Sequence, residues 1–252
     1  MIDSGIFKKL RKLNLIMGGI HFLQAILMVW LSTDFVIKIT SSYMMGPPGT
    51  EKMGVDLLFD VRLGLLVALF MFISSIAHFS ISTFAYDYYV KNLKKNINQS
   101  RWIEYSFSSS LMIIIIAMLV GITDLGTLIT LFIVNASMIF FGWVMEAYNQ
   151  KTSKTVWFPF VFGCIAGIAP WLTIFIRLIT ATQNSPVGVP GFVIGIFVSL
   201  FIFFNIFAVN QFLQYKKIGR WKDYLYGEKI YIYLSLIAKT ALAWQVFSGT
   251  LM

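Results

Sequence analysis

The sequence predicts an all-α membrane protein, a bundle of seven transmembrane helices, on three observations. Of its 252 residues, 58% are hydrophobic, 17% aromatic and only 12% charged, and such a mixture cannot cover the surface of a water-soluble chain of this size. Stretches free of Asp, Glu, Lys and Arg recur at lengths suited to the roughly 20 residues a helix needs to cross the hydrocarbon. The basic residues, finally, divide unequally between the connections.

The charge-free stretches are 13–33, 63–86, 105–123, 125–145, 155–176, 178–215 and 230–252, the last interrupted only by Lys239. The first follows "MIDSGIFKKLRKLN", which has the basic character of a signal-peptide n-region. Its run is longer than an h-region and no small-residue cleavage pattern follows, so it reads as a retained helix of about 13–33. The second helix is expected at about 63–86. The third begins before its charge-free stretch, near Gln99, because "NQSRWIEYSFSSSLMIIIIAMLVGI" is already aromatic and apolar. It ends near 123, and the fourth follows at about 125–145. The stretch 178–215 is too long for one helix, and "TQNSPVGVPG" supplies a loop. The fifth and sixth helices therefore fall at about 157–179 and 190–214, and the seventh at about 230–250. An outer loop of about 34–62 carries "MMGPPGT", whose Pro and Gly suit tight turns and a short hairpin. No repeat, low-complexity tract or further domain is evident, so residues 1–252 are expected to form one unit.

Fifteen Lys and Arg fall on the side of the N-terminal segment: Lys8, Lys9, Arg11 and Lys12, then Lys91, Lys94, Lys95, Arg101, Lys151, Lys154, Lys216, Lys217, Arg220, Lys222 and Lys229. Four, Lys38, Lys52, Arg62 and Arg177, fall on the other. This asymmetry predicts a multi-pass cell-membrane protein with its N-terminus cytoplasmic and, after seven crossings, its C-terminus extracellular. A net charge of +9 does not point to nucleic acid, because the basic residues sit between apolar runs instead of on one face of a soluble domain. They suit the lipid bilayer, with anionic lipid at "KNLKKNINQSR" and "QYKKIGRWKDY". The single cysteine, Cys164, excludes an intrachain disulfide and reads as a small packing residue.

Four polar residues share one depth. Counted from the cytoplasmic edge, His21, His78, Glu104 and Lys239 lie about six to ten residues into their helices, so their heights agree within about 6 Å. An ammonium inside a membrane helix costs roughly 3 kcal/mol and needs a partner, a cavity or a chemical task. A structural Glu104–Lys239 ion pair and a chemically active pair both satisfy that need, and each histidine also fits a packed core. Ser235 and Ser108, four residues from Lys239 and Glu104, lie on the faces of those charges. Their hydroxyls can bond to the charges or back to their own helices. Two histidines and a carboxylate resemble a metal set, but the lysine would repel the cation. Arg101 reads as a boundary residue that snorkels to the interface.

Seven helices with a lysine in the last resemble the microbial rhodopsins. The stretches "HFLQ", "GPPGT", "RWIEYSFSSSLMI", "VNASMIFFGW", "FGCIAGIAPW", "VPGF", "FFNIFA", "QYKKIGRW" and "LSLIAKTALAWQVFSGTL" resemble one branch, the heliorhodopsins, along the whole chain. The resemblance implies a rhodopsin-like bundle of inverted topology, with retinal bound to Lys239 as a Schiff base, all-trans in the dark, and Glu104 as its counterion. It implies that His21 and His78, with Gln24, form a polar pocket that accepts the proton. Ser235, Ser108, Met112, Asn135, Trp171, Phe204, Gln211 and Trp244 are expected in or near the retinal pocket. It further implies a homodimer and a cytoplasmic signalling partner, and a photoreceptor, not an enzyme. Photoisomerisation with internal proton transfer suits light sensing. Light-driven transport is the alternative, although the outer half holds only the boundary or loop carboxylates Asp34, Glu51, Asp56, Asp60 and Asp124.

Overall fold

The computed structural model describes residues 4–250. Seven helices among the described residues are long and apolar enough to cross a membrane: α1 Ser4–Leu31, α2 Leu63–Ser82, α4 Gln99–Leu119, α5 Leu125–Asn149, α6 Phe158–Asn184, α7 Gly191–Lys216 and α8 Tyr224–Thr250. A short helix, α3 Tyr86–Leu93, follows α2, and a 3-10 turn, Gly219–Lys222, precedes α8. Each spanning helix satisfies its own backbone, as hydrocarbon demands.

The helix ends depart from hydropathy in both directions. α1 starts nine residues before position 13 and α8 six before position 230, because Lys, Arg and Glu are good helix formers that carry a span beyond the hydrocarbon. α2 is shorter than expected, ending at Ser82, and the chain turns through Thr83–Ala85 into α3. Asn98 caps α4, its Oδ1 accepting from Arg101 N at 3.0 Å.

The outer loop is nearly all hairpin. β1 Val36–Met44 pairs antiparallel with β2 Met53–Arg62, from Val36↔Arg62 to Met44↔Met53, with an irregularity between Ile39 and Thr40. Its turn is closed by Thr50, which donates to Pro47 O through N (3.1 Å) and Oγ1 (2.8 Å). Gly49 takes a φ of 94° there, which a side chain would resist.

The hairpin is fastened to the bundle through Asp124. Its carboxylate accepts from Thr127 N at 2.9 Å, capping α5, and from Ser42 N at 3.1 Å. Those donors, Thr127 first, hold its pKa below the usual aspartate value. The resulting stabilisation is complete above about pH 4 and is lost as pH falls through the lowered value. Asp124→Ala should cost about 1 kcal/mol, read as a lower melting temperature at neutral pH that converges on the parent's in acid, with faster amide exchange at Ser42.

The helices pack in a ring, α1 on α2, α2 on α4, α4 on α5, α5 on α6 and α7 on α8, with α8 returning to α1. Contact is loosest between α6 and α7. α4 is the most enclosed, 72% of its span being buried against 44% or less elsewhere, so a charge on it meets protein, not lipid. The hairpin half of the bundle is filled by an apolar core that includes Met28, Leu63, Phe70, Ile113, Ile116 and Leu242. The opposite half buries Asn14, His78, Asn98, Arg101, Glu146, Asn210 and Glu228. Between lipid-exposed helices the apolar contacts act through close packing more than through release of water.

Candidate functional site

Lys239 on α8 and Glu104 on α4 meet where the two halves join. Lys239 Nζ donates to Glu104 Oε1 at 2.7 Å and to Ser235 Oγ, one turn earlier on α8, at 2.9 Å. Ser74 on α2 adds a third support, its Oγ donating to the same Oε1 at 2.7 Å. The ammonium also stands 5.1 Å from the centre of the Tyr105 ring. Both charges are at least nine-tenths buried, so each depends on the other for its stability there.

Lys239 lies in the wall of a cavity between α4, α5, α6, α7 and α8. Met112, Phe204, Gln211, Ser108 and Ser235 line it. Ser108 Oγ meets the full hydrogen-bond geometry with no described residue. Gly142 lets the Trp102 ring pack against α5 at the cavity wall, since a Cβ there would come within 2.5 Å of that ring. Trp171 lines an adjoining apolar cavity that shares Met138, Cys164 and Phe204 with the first. Two residues expected there lie off both: Asn135 donates to Ser109 and Ser110 at 2.9 and 3.0 Å, and Trp244 is 38% exposed against Phe247. Gln24, expected in the polar pocket, accepts from Thr240 at 3.1 Å. Cys164 is exposed and belongs to the cavity wall, not to a packed core.

On the other side of Glu104 lies a small polar cavity, lined in part by Asn14, His78, Asn98, Arg101, Glu104 and Glu228. His78 and His21 stack at 5.6 Å. His78 Nδ1 is 2.7 Å from Asn14 Oδ1, while Asn14 Nδ2 donates to Leu10 O and Tyr89 Oη. The amide orientation makes Nδ1 the proton-bearing nitrogen and leaves Nε2 as a base. His21 Nδ1 faces Met71 Sδ at 3.3 Å, and its Nε2 has no partner among the described residues.

The network continues into residues that hydropathy had placed at the membrane edge. Tyr89 donates to Glu228 Oε1 at 3.4 Å and Asn98 Nδ2 to the same oxygen at 2.6 Å. Arg101 bridges Glu228 and Glu146 with its two Nη groups, and Trp102 Nε1 and Tyr224 Oη donate to Glu146 at 2.6 and 3.0 Å. Arg101 does not snorkel. It is 6% exposed, its guanidinium 3.9 Å from the Tyr231 ring centre. Glu104 is not alone as a buried carboxylate: Glu146 and Glu228 are each 1% exposed. A charge-free search ends a helix at any carboxylate, so both glutamates read as boundaries. The signal that could have found them was their number: two acids facing an arginine at the same end of three helices.

The sequence model of the Heliorhodopsin family matches residues 10–251. The chain belongs to the heliorhodopsin family. This heliorhodopsin is similar in structure to a light-driven proton pump LR (Mac) from Leptosphaeria maculans, with a TM-score of 0.66 and 12% identity over 99% of this chain and 98% of that one. At that identity the likeness shows the fold, a rhodopsin-like bundle. No curated protein matches the heliorhodopsin chain. Its family and fold make it a microbial rhodopsin, of a kind that senses light or transports ions, and imply retinal bound to a lysine.

The residues fit that group. Lys239, a primary amine, stands at the wall of a largely apolar cavity. A carboxylate lies 2.7 Å from that amine to balance a positive nitrogen. Aromatic and Met side chains, Phe204, Phe207 and Met112 among them, offer the apolar contact a polyene needs.

Proposed function

We propose that this heliorhodopsin is a light receptor in which Lys239 Nζ holds retinal, all-trans in the dark, and Glu104 is the counterion. The Lys239–Glu104–Ser235–Ser74 cluster at the cavity wall carries the reading. Bound there, retinal supplies a chromophore whose photoisomerisation turns the proton-bearing nitrogen relative to its carboxylate.

The chain's own groups govern where that proton goes. Glu104 Oε1 is tied to Ser74, which keeps the negative charge in place when the nitrogen moves. His78 Nε2 is a base in the polar half beside Glu104, and His21 stacks on that ring with an Nε2 that has no partner among the described residues. A proton taken up by this stacked pair and later returned gives an internal cycle, and the trapped charge biases the network that joins α1, α3, α4, α5 and α8. Towards the hairpin the core is apolar, and two of its acids have other work. Asp34 pairs with Arg62 at 3.1 Å in an exposed bridge, and Asp124 caps α5. This supports sensing without net transport. The uneven Lys and Arg distribution supports a cytoplasmic N-terminus and an extracellular C-terminus. The family resemblance adds a homodimer and a cytoplasmic signalling partner.

All-trans retinal added to the purified apoprotein should produce a visible absorption band, and a colourless mixture would refute the reading. Illuminated cells should show no pH change sensitive to a protonophore; a sustained one would replace sensing with transport.

A further inference from the structure

A second site lies outside the cavities, at the end of the bundle opposite the hairpin. There α3 lies against the first turns of α1, over a core of Phe7, Leu10, Ile81, Tyr89 and Leu93. The groove between the two helices is lined by Lys8 and Arg11 from α1 and by Lys91, Lys94 and Lys95 from the end of α3. Lys8 and Arg11, three apart, share one face of α1, while Lys91 lies in the last turn of α3 and Lys94 and Lys95 follow it directly. Asp87 is the single acid in the groove. None of the five cations forms an ion pair with a carboxylate among the described residues.

Arg11 is already oriented for an anion. Its Nε donates to Ser82 O, at the end of α2, at 2.8 Å, and its guanidinium lies 4.5 Å from the Tyr86 ring centre. Both Nη groups are left without a hydrogen bond to the described residues, in the fork geometry that suits phosphate oxygens. Lys94 is steadied 5.9 Å from the Phe7 ring centre. Beside the groove, Phe84 is 86% exposed and Tyr88 48% exposed, the aromatic signature of a membrane interface.

We propose that this groove binds the phosphate of an anionic phospholipid headgroup, with Arg11 as the fixed contact and Lys8, Lys91, Lys94 and Lys95 around it. The charge balance, the oriented guanidinium and the interfacial aromatics select a phosphate presented from the bilayer. The inference uses no residue of the retinal site.

Native mass spectrometry of the detergent-solubilised protein, titrated with phosphatidylglycerol or phosphatidylcholine, tests it. Phosphatidylglycerol should bind the more tightly, and Arg11→Gln/Lys91→Gln/Lys94→Gln should weaken it by on the order of fivefold for each charge removed. Lys151→Gln/Lys154→Gln removes charge at the same end outside both basic stretches and should leave binding within about twofold. Circular dichroism verifies that both variants are folded. Equal loss in the two variants, no headgroup preference, or displacement of the lipid by soluble polyglutamate would overturn the proposal.

Discussion

Lys239→Ala should leave the protein colourless with retinal, the visible band being lost completely and not merely shifted. No other described amine lines the cavity, so no substitute attachment point exists. The substitution also strands Glu104, which keeps only Ser74 of its two hydrogen-bond donors. A buried carboxylate without its cation costs about 3–5 kcal/mol, so the single variant should melt well below the parent apoprotein. Lys239→Ala/Glu104→Gln removes both charges and should recover most of that loss while remaining colourless, which separates misfolding from loss of attachment. Glu104→Gln alone should keep the pigment and shift its band, because the lysine remains and only the negative neighbour is gone. A visible band in the double variant would remove Lys239 from its proposed role.

Arg101→Met should destabilise the fold about as strongly, without touching the cavity amine. The guanidinium is the shared cation of Glu146 and Glu228, and the methionine would leave two buried acids facing each other. The expected cost is about 3–5 kcal/mol, visible as a lower melting temperature. Arg101→Met/Glu146→Gln/Glu228→Gln removes the charges together and should restore much of it, since amides still accept from Trp102, Tyr224 and Asn98. If the single variant melted with the parent, the cluster would not be holding α4, α5 and α8 together.

The spans were legible because membrane helices announce themselves one at a time. Runs such as 63–86 and 125–145 need no knowledge of their neighbours, since each helix satisfies its own backbone and only its side chains face lipid. The common depth of Glu104 and Lys239 was legible for a related reason: a fixed rise of 1.5 Å per residue converts position into height. Height does not give rotation. Ser235 and Ser108 looked equivalent by spacing, yet Ser235 accepts from Lys239 and Ser108 meets the full hydrogen-bond geometry with no described residue. Trp244, five residues after the lysine, points away from the cavity towards Phe247.

By itself the sequence determined how many times the chain crosses, roughly where, and which charged side chains must lie inside a span, because hydropathy and length act locally along the chain. Tertiary structure alone decided which polar groups are buried together. Glu146 and Glu228 are boundary residues on their own helices and interior residues only because α4 brings Arg101 between them. A charge's stability inside protein depends on the partner that packing delivers, and that partner comes from another helix.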